Sequence, residues 1–413
     1  MAQLWQKDAP IIRSALETDV YKILMLYYIS EYYPYLGVQW AFKNRTKTVP
    51  LAQYVSVGAL REQLQAVQTL RFSEVDIAYL RGWDMFPERF LRQLQALRLS
   101  PPHLQEQDGE LCIEVHGSWL ETTLWEIYIL PLVAELYGRG RAAVDGISEA
   151  ALYQEGRRRL GQKVMLLKRH PELKLALFGL RRRFSGLWED TVTDAMLTGT
   201  AGNITGVSNV FLAKRFGVEA VGTNAHELPM AEYAVARHQS PNAVRYAPYQ
   251  VLERWQKLYG HKALIMLPDT FGTEAFLRDL PAEFAWQWRG YRQDSGDART
   301  IGEQYIADYE RRGIDPRDKL ILFTDGLDCR RMLELYEAFV GRIGVGFGVG
   351  TNFTNDLGLV EPLSIVMKLM AAAGNPTVKL SDNLAKAMGP QAEIKTAKQL
   401  FGYTGDFNEA TRY

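Results

Sequence analysis

The chain has 413 residues, of which 47% are hydrophobic and 23% charged. That is the composition of a globular protein too long for one ordinary core, so one large or two medium domains are expected. Lysine plus arginine and aspartate plus glutamate each number 48, which excludes a global field that would attract nucleic acid or an anionic membrane; any anion must be captured by a local site.

Two distant cysteines, Cys112 and Cys329, exclude a disulfide framework and a cysteine zinc cage and fit a reducing compartment. Residues Met1 to Asp8 lack an apolar signal core, and the longest apolar run, Ile127 to Ala134, contains Pro131 and is too short to span a bilayer. A cytoplasmic location is expected, with neither nucleic acid nor membrane as partner.

In chain order, Thr18 or Asp19 stands where it can cap a helix running to about Tyr33, stopped by Pro34. Tyr21, Tyr27, Tyr28, Tyr32 and Tyr33 have the spacing of core or interface aromatics on that helix. Val38 to Lys43 alternates as a strand. So does Leu111 to His116, entered through the turn dipeptide Asp108-Gly109. Between them, Leu60 to Arg71 and Glu74 to Arg81 read as amphipathic helices, and Trp119 to Tyr137 reads as a longer buried helix carrying Glu126. Residues 1–140 are therefore expected to form an α+β domain, with Gly138 to Asp145 as the hinge out of it.

From residue 175 the pattern changes to short apolar strands that each end in glycine and polar residues. Leu175 to Phe178 ends in Gly179-Leu180-Arg181-Arg182-Arg183, and Asn203 to Val207 ends in Ser208-Asn209, a cap for a helix that Gly217 stops. Val218 to Val221 runs into Gly222-Thr223-Asn224-Ala225-His226-Glu227, with Pro229 where a first helical turn tolerates it. Ala263 to Leu267 ends in Pro268-Asp269-Thr270, and Phe284 to Tyr291 ends in Arg292-Gln293-Asp294-Ser295-Gly296-Asp297. Leu320 to Phe323 ends in Thr324-Asp325-Gly326-Leu327-Asp328, and Ile343 to Phe347 in Gly348-Val349-Gly350-Thr351-Asn352. Loaded corners at the C-terminal ends of successive strands are how a β/α barrel builds a site, whereas an open doubly wound sheet concentrates ligands at one switch point. The fold class is α/β: an irregular TIM-like barrel over 141–374 joined to the N-terminal α+β domain, with 375–413 packing back on the latter.

Several corners suit anions. The glycines from Gly344 to Gly350 let backbone N–H groups approach a phosphate, and Thr351 adds a hydroxyl. No Gly-Lys-Ser/Thr follows, so this is not a Walker loop. Arg292 can grip a carboxylate or phosphate in bidentate fashion. Asp294 and Asp297 can orient ribose hydroxyls, hold Mg²⁺ near a pyrophosphate, or face a developing cation. Asp325 and Asp328 offer further oxygens, although Asp328 serves equally as the N-cap of a helix from Arg330 to Val340. At most two of Arg181, Arg182 and Arg183 are expected to face a ligand. Lys379-Leu380-Ser381-Asp382-Asn383, with Lys386, ends another strand. His226 beside a carboxylate can be a general base, a metal ligand, a nucleophile or a surface residue.

Six strings, in order, resemble the nicotinate phosphoribosyltransferase family. They are Thr18-Asp19-Val20-Tyr21-Lys22, Phe178 to Ser185, Gly222 to Glu227, Arg292 to Asp297, Phe347 to Asn352, and Lys379-Leu380-Ser381-Asp382. The resemblance runs from about residue 15 to about residue 390. It implies an incomplete barrel on an N-terminal domain, and an enzyme that makes nicotinate mononucleotide and pyrophosphate from nicotinate and phosphoribosyl pyrophosphate (PRPP). ATP is implied as co-substrate and Mg²⁺ as cofactor, in the first step of NAD salvage from nicotinate. It implies further that His226 is transiently phosphorylated and that Asp269 hydrogen-bonds its imidazole, with Asp294 facing the developing cation. Tyr21 and Phe178 would sandwich the pyridine ring, and Thr223 and Arg292 would hold its carboxylate. PRPP would meet Arg181, Asp325, Gly348, Gly350, Thr351 and Lys379, and Mg²⁺ would meet Asp294 and Asp297. In relatives Tyr21 often comes from a neighbouring subunit, so a homodimer is expected. Leu180, Gln293 and Leu384-Ala385 depart from the family's usual residues. The rival readings are a nicotinamide-using or quinolinate-using relative and a non-catalytic phosphosugar or nucleotide sensor.

Overall fold

The computed structural model describes residues 3–409 as two sheets with helices between and around them. Strands are numbered along the chain. An antiparallel sheet holds β1 (Gly37–Asn44), β2 (Pro102–Gln107), β3 (Glu110–Ser118), β10 (Ile365–Ala372) and β11 (Asn375–Pro376), in the order β11-β10-β1-β3-β2. A parallel sheet holds β4 (Leu175–Leu177), β5 (Ile204–Val207), β6 (Ile265–Met266), β7 (Gly290–Gln293), β8 (Leu320–Phe323) and β9 (Gly344–Val349), in the order β5-β4-β9-β8-β7-β6. Ala220 adds one parallel bridge beyond β5. No ladder joins that end to β6 among the described residues, so the TIM-like barrel stays open there.

Local chemistry accounts for most of this. β1 and β3 alternate buried and outward residues because one face packs on the core. Parallel strands need crossovers, supplied here by helices such as Gly186–Gly199, capped by Ser185, and Ala298–Arg311, capped by Asp297. The helix Val20–Tyr32 is buried continuously from Val20 to Ile29, so it lies inside the molecule. Its start is tied to the barrel by Val20 N–H donating to Ser208 O and by the Ser208 hydroxyl donating to the Asp19 carboxylate at 2.7 Å. Asp19 occupies the cap position, but its side chain makes no cap bond, because Ser208 has claimed it. No helix among the described residues is long and apolar enough to cross a membrane.

Six expectations require correction. Val218 to Val221 is not a strand but a single bridge at Ala220, and the tail helix Gln391–Phe401 packs on Tyr233 and Phe271 of the barrel span rather than on the N-terminal domain. Gly138 to Asp145 is no hinge: the helix Trp125–Val144 runs through it. Its glycines serve close approach. A Cβ at Gly138 would lie 3.0 Å from the Phe184 ring, and one at Gly140 would lie 1.9 Å from the Tyr54 carbonyl oxygen. The stretch Phe284 to Tyr291 is not one strand: Ala282–Gln287 is helical and β7 begins at Gly290. The expected helix from Trp119 is broken between Thr122 and Trp125. Finally, the strand β10 lies inside the span assigned to the barrel, yet it pairs antiparallel with β1. β2, β10 and the helix Glu88–Ala96 were not anticipated.

Gly140→Ala is expected to destabilise the fold by about 1–3 kcal/mol, since the clash is with backbone that cannot swing away. Gly161→Ala is the control. That helical glycine has nothing within 4 Å of an added Cβ, and the change is expected to gain ~0.4–1 kcal/mol. Denaturant midpoints of the two variants check this, and equal midpoints would remove the close-approach argument.

Candidate active site

The C-terminal ends of the parallel strands and the inner face of β10 enclose a cavity of about 240 Å³. His226 immediately precedes the helix Glu227–Ala236, at the corner predicted for it. Its Nδ1 lies 2.9 Å from Thr270 Oγ1, and its Nε2 lies 3.1 Å from Asp294 Oδ2 and 2.8 Å from Lys379 Nζ. Asp269 is farther, at 3.6 Å from Nε2. Nδ1 is thus within hydrogen-bond distance of Thr270, and Nε2 can either donate to Asp294 or accept from Lys379, depending on the tautomer, while Asp269 Oδ1 stands beyond hydrogen-bond range and Asp269 Oδ2 accepts from Ser295 Oγ at 2.6 Å.

Arg292, from β7, reaches Thr324 Oγ1 at 2.9 Å, Thr223 Oγ1 at 3.0 Å and Asp294 Oδ1 at 2.6 Å. Thr324 also donates to Asp294 Oδ1 at 2.7 Å. Burial alone would raise the Asp294 carboxyl, but Arg292 and His226 outweigh it and hold it well below its ordinary value. Asp269 is likewise lowered against its burial, by His226 and Lys379. Burial lowers His226, helped by Lys379 and opposed by Asp269 and Asp294. The outcome is an ionised carboxylate against a neutral imidazole at neutral pH.

Arg181 pairs with Glu126 at 3.1 Å, and Glu126 pairs with the fully buried Lys22 at 2.9 Å. Lys22 in turn reaches Glu227 at 2.5 Å. This chain of charges fixes the wall that carries Tyr21, whose hydroxyl lies 3.4 Å from Glu126. Arg181 and Arg182 line the cavity, whereas Arg183 is buried on Glu17 and Glu189 at 2.9 and 2.8 Å. Tyr21 lines the cavity of its own chain, where the Asp19–Ser208 contact ties the start of its helix to the residue after β5.

Phe178, Asp325, Gly348, Gly350, Thr351 and Lys379 also line the cavity. Gly348 has a further duty: a Cβ there would stand 2.5 Å from the Phe178 ring, so the glycine seats the aromatic wall. Thr223 is buried behind Arg292, donating to the Asn224 carbonyl at 3.1 Å.

Asp297 departs from the expectation for it. Its carboxylate caps the helix Ala298–Arg311 through Thr300 N–H at 2.9 Å, and it lies outside this cavity. Among the described residues, the group with metal-ligand geometry is instead His226, Asp269 and Asp294, whose donor atoms lie within 4.8 Å of one another. Asp269 Oδ1 is buried with no hydrogen-bond partner, so this oxygen-rich set fits a hard cation such as Mg²⁺. Asp328 is the N-cap of Cys329–Phe339, accepting from Arg331 N–H at 2.8 Å.

Three cations were missed or passed over. Arg45 follows β1, and Lys368 lies on β10. Lys386 reaches Asp325 Oδ1 at 2.6 Å and the Asp294 carbonyl at 2.9 Å. Lys368 is pushed down to about 8 by burial and by Arg45, Lys43 and Lys379. The two-residue alternation of Ile365, Met367 and Leu369 about Val366 and Lys368 was the available signal.

Comparison with known proteins agrees with this architecture. Residues 173–405 match the nicotinate phosphoribosyltransferase (NAPRTase) family, and residues 16–134 match the NAPRTase N-terminal domain. The crystal structure of nicotinate phosphoribosyltransferase from Porphyromonas gingivalis is 31% identical, with a TM-score of 0.85, covering 95% of this chain and 100% of its own. That of nicotinate phosphoribosyltransferase from Vibrio cholerae is also 31% identical with a TM-score of 0.85, covering 97% of this chain and 96% of its own. With both domains matched in order and the strand-end corners converging on one cavity, the chain belongs to the nicotinate phosphoribosyltransferase family.

Proposed function

We propose that this chain transfers the phosphoribosyl group of PRPP to nicotinate, coupled to ATP hydrolysis through a phosphohistidine at His226. The observation that carries the reading is the contact set Arg292–Asp294–His226–Lys379 in a cavity walled by Tyr21 and Phe178. The pyridine nitrogen forms a bond to the ribose C1 as the bond from C1 to pyrophosphate breaks, its electron pair leaving with pyrophosphate. Positive charge develops on the ribose, and the ionised Asp294 supplies the opposing charge without reorganisation. Nicotinate nitrogen is a weak nucleophile, so holding the ring between Tyr21 and Phe178 matters more than base catalysis. Arg292, held from behind by Thr223, would take the carboxylate, and a nicotinamide would leave that guanidinium without its ion pair.

The cationic wall of Arg181, Lys368, Lys379 and Lys386 suits a polyphosphate. Mg²⁺, when bound beside Asp294 and Asp269, would neutralise pyrophosphate oxygens. ATP shares this wall in the proposal. In the tautomer whose Nδ1–H donates to Thr270 Oγ1, Nε2 carries a lone pair, faces the Lys379 ammonium, and is the nitrogen that would attack the terminal phosphorus while ADP leaves with the bonding pair. The product would enter NAD synthesis.

The test is mononucleotide formation with Mg²⁺ and PRPP, supplying nicotinate or nicotinamide, each with and without ATP. Product from nicotinate alone, raised strongly by ATP, is the expected result. Product from nicotinamide would remove Arg292 as the selector. PRPP binding without product from either base would turn the reading to a sensor.

A further inference from the structure

The loop from Lys379 to Lys386 carries two of the lysines of the site, and its shape is not self-supporting. Ser381, in its middle, is fully buried at φ +65°, a left-handed conformation that costs a non-glycine residue about 1–2 kcal/mol. Such strain persists only where the surroundings over-determine it. On one side the barrel holds the loop: Asp382 accepts from Thr273 N–H and Oγ1 at 2.7 and 2.6 Å, and Asp382 N–H donates to Ser295 Oγ.

On the other side stands the tail of the chain. The helix Gln391–Phe401 docks through Phe401, which stacks on Phe271 at 4.2 Å, next to Thr270. Gly402 turns the chain back at φ 58°, and Tyr403 then lays its ring over Gly272, where a Cβ would stand 2.8 Å from it. The Tyr403 hydroxyl donates to the Ser381 carbonyl at 2.7 Å. Leu384 N–H donates to Phe407 O at 2.9 Å, and the Asn383 amide exchanges bonds of 2.9 and 3.2 Å with the backbone of Glu409. Burial and Asp382 push the Tyr403 phenol up to about 12, so it remains a donor at any working pH.

We propose that Tyr403 is a positioning residue for the phosphate-bearing substrate. With the tail behind it, it holds Ser381 in the left-handed conformation that delivers Lys379 to His226 and Lys386 to Asp325. The proposal rests on the transferase reading above. It assigns a role in the reaction to a segment whose described residues do not line the cavity.

The test uses the full chain. Tyr403→Phe keeps the ring over Gly272 and removes only the hydroxyl. It is expected to raise the KM for PRPP about three- to tenfold, the range one hydrogen bond supports, while the KM for nicotinate and the Tm stay at the wild-type values. Without ligand, the amides of Leu384 and Met388 should exchange faster. In a Ser381→Gly background, where glycine adopts the left-handed conformation at ease, the effect of Tyr403→Phe should shrink below about twofold. An unchanged KM for PRPP, a loss that merely follows Tm, or an equal effect in both backgrounds would overturn the proposal. Wild-type protein that neither binds PRPP by calorimetry nor converts it would overturn the transferase reading instead, before any variant is compared.

Discussion

His226→Ala is expected to abolish phosphoenzyme formation and ATP hydrolysis, and to reduce mononucleotide synthesis to the rate seen without ATP. The slow ATP-independent transfer should survive, because Asp294, Arg292 and the aromatic walls do not depend on the imidazole for their other contacts. Stability should change by about 1 kcal/mol. The vacated pocket keeps Lys379, 3.4 Å from Asp269, so the carboxylates retain a cation. The check is acid-labile phosphate on the protein after incubation with labelled ATP, together with product formed per ATP. A His226→Ala protein that still couples ATP fully would remove the phosphohistidine and leave the imidazole as a spacer between Thr270 and Asp294.

Asp294→Asn is expected to lower kcat/KM for PRPP by about 10²–10³-fold, roughly 3–4 kcal/mol of barrier, the scale of one preorganised electrostatic group. Asparagine keeps the size and one acceptor for Arg292 and Thr324, so the loss reports charge more than shape. The pH profile provides a second reading. The Asp294 carboxyl is held well below its ordinary value of 3.8. Its stabilising share is therefore complete above that value and is lost only as the pH falls through the depressed one. No acid limb owed to Asp294 should appear between about pH 5 and 8 in the wild-type rate. A limb in that window that disappears in Asp294→Asn would mean the carboxylate is not held ionised, and the cation-facing role would fall.

The legibility of the site varied with how local its physics is. The corner at His226 was readable because Gly222, Asn224 and Pro229 carry turn and helix-start chemistry of their own. The pair Arg292 and Asp294 was readable because two residues on one strand end share a direction. Lys368 was passed over: the alternation along Ile365 to Leu369 marks a strand, but only the pairing of β10 with β1 places the lysine at the cavity. Asp297 was over-read because a cap carboxylate and a metal ligand have the same sequence signature, and only its bond to Thr300 separates them. The glycines at 138 and 140 were over-read as a hinge for a similar reason. Glycine marks both freedom and close approach, and the partners Phe184 and Tyr54 are distant in sequence.

The sequence by itself determined many of the elements, the polar strand-end corners and most of the residues that bear chemistry, because hydrophobic period, turn residues and caps act within a few residues. Only the tertiary structure decided which of those groups meet. It placed Tyr21 in the cavity of its own chain, gave the imidazole of His226 to Asp294, Thr270 and Lys379, and returned the tail through Tyr403 to the lysine loop. These are contacts between segments up to hundreds of residues apart. They are set by sheet order and by the competition of many buried partners for the same polar atoms, and no local pattern encodes that competition.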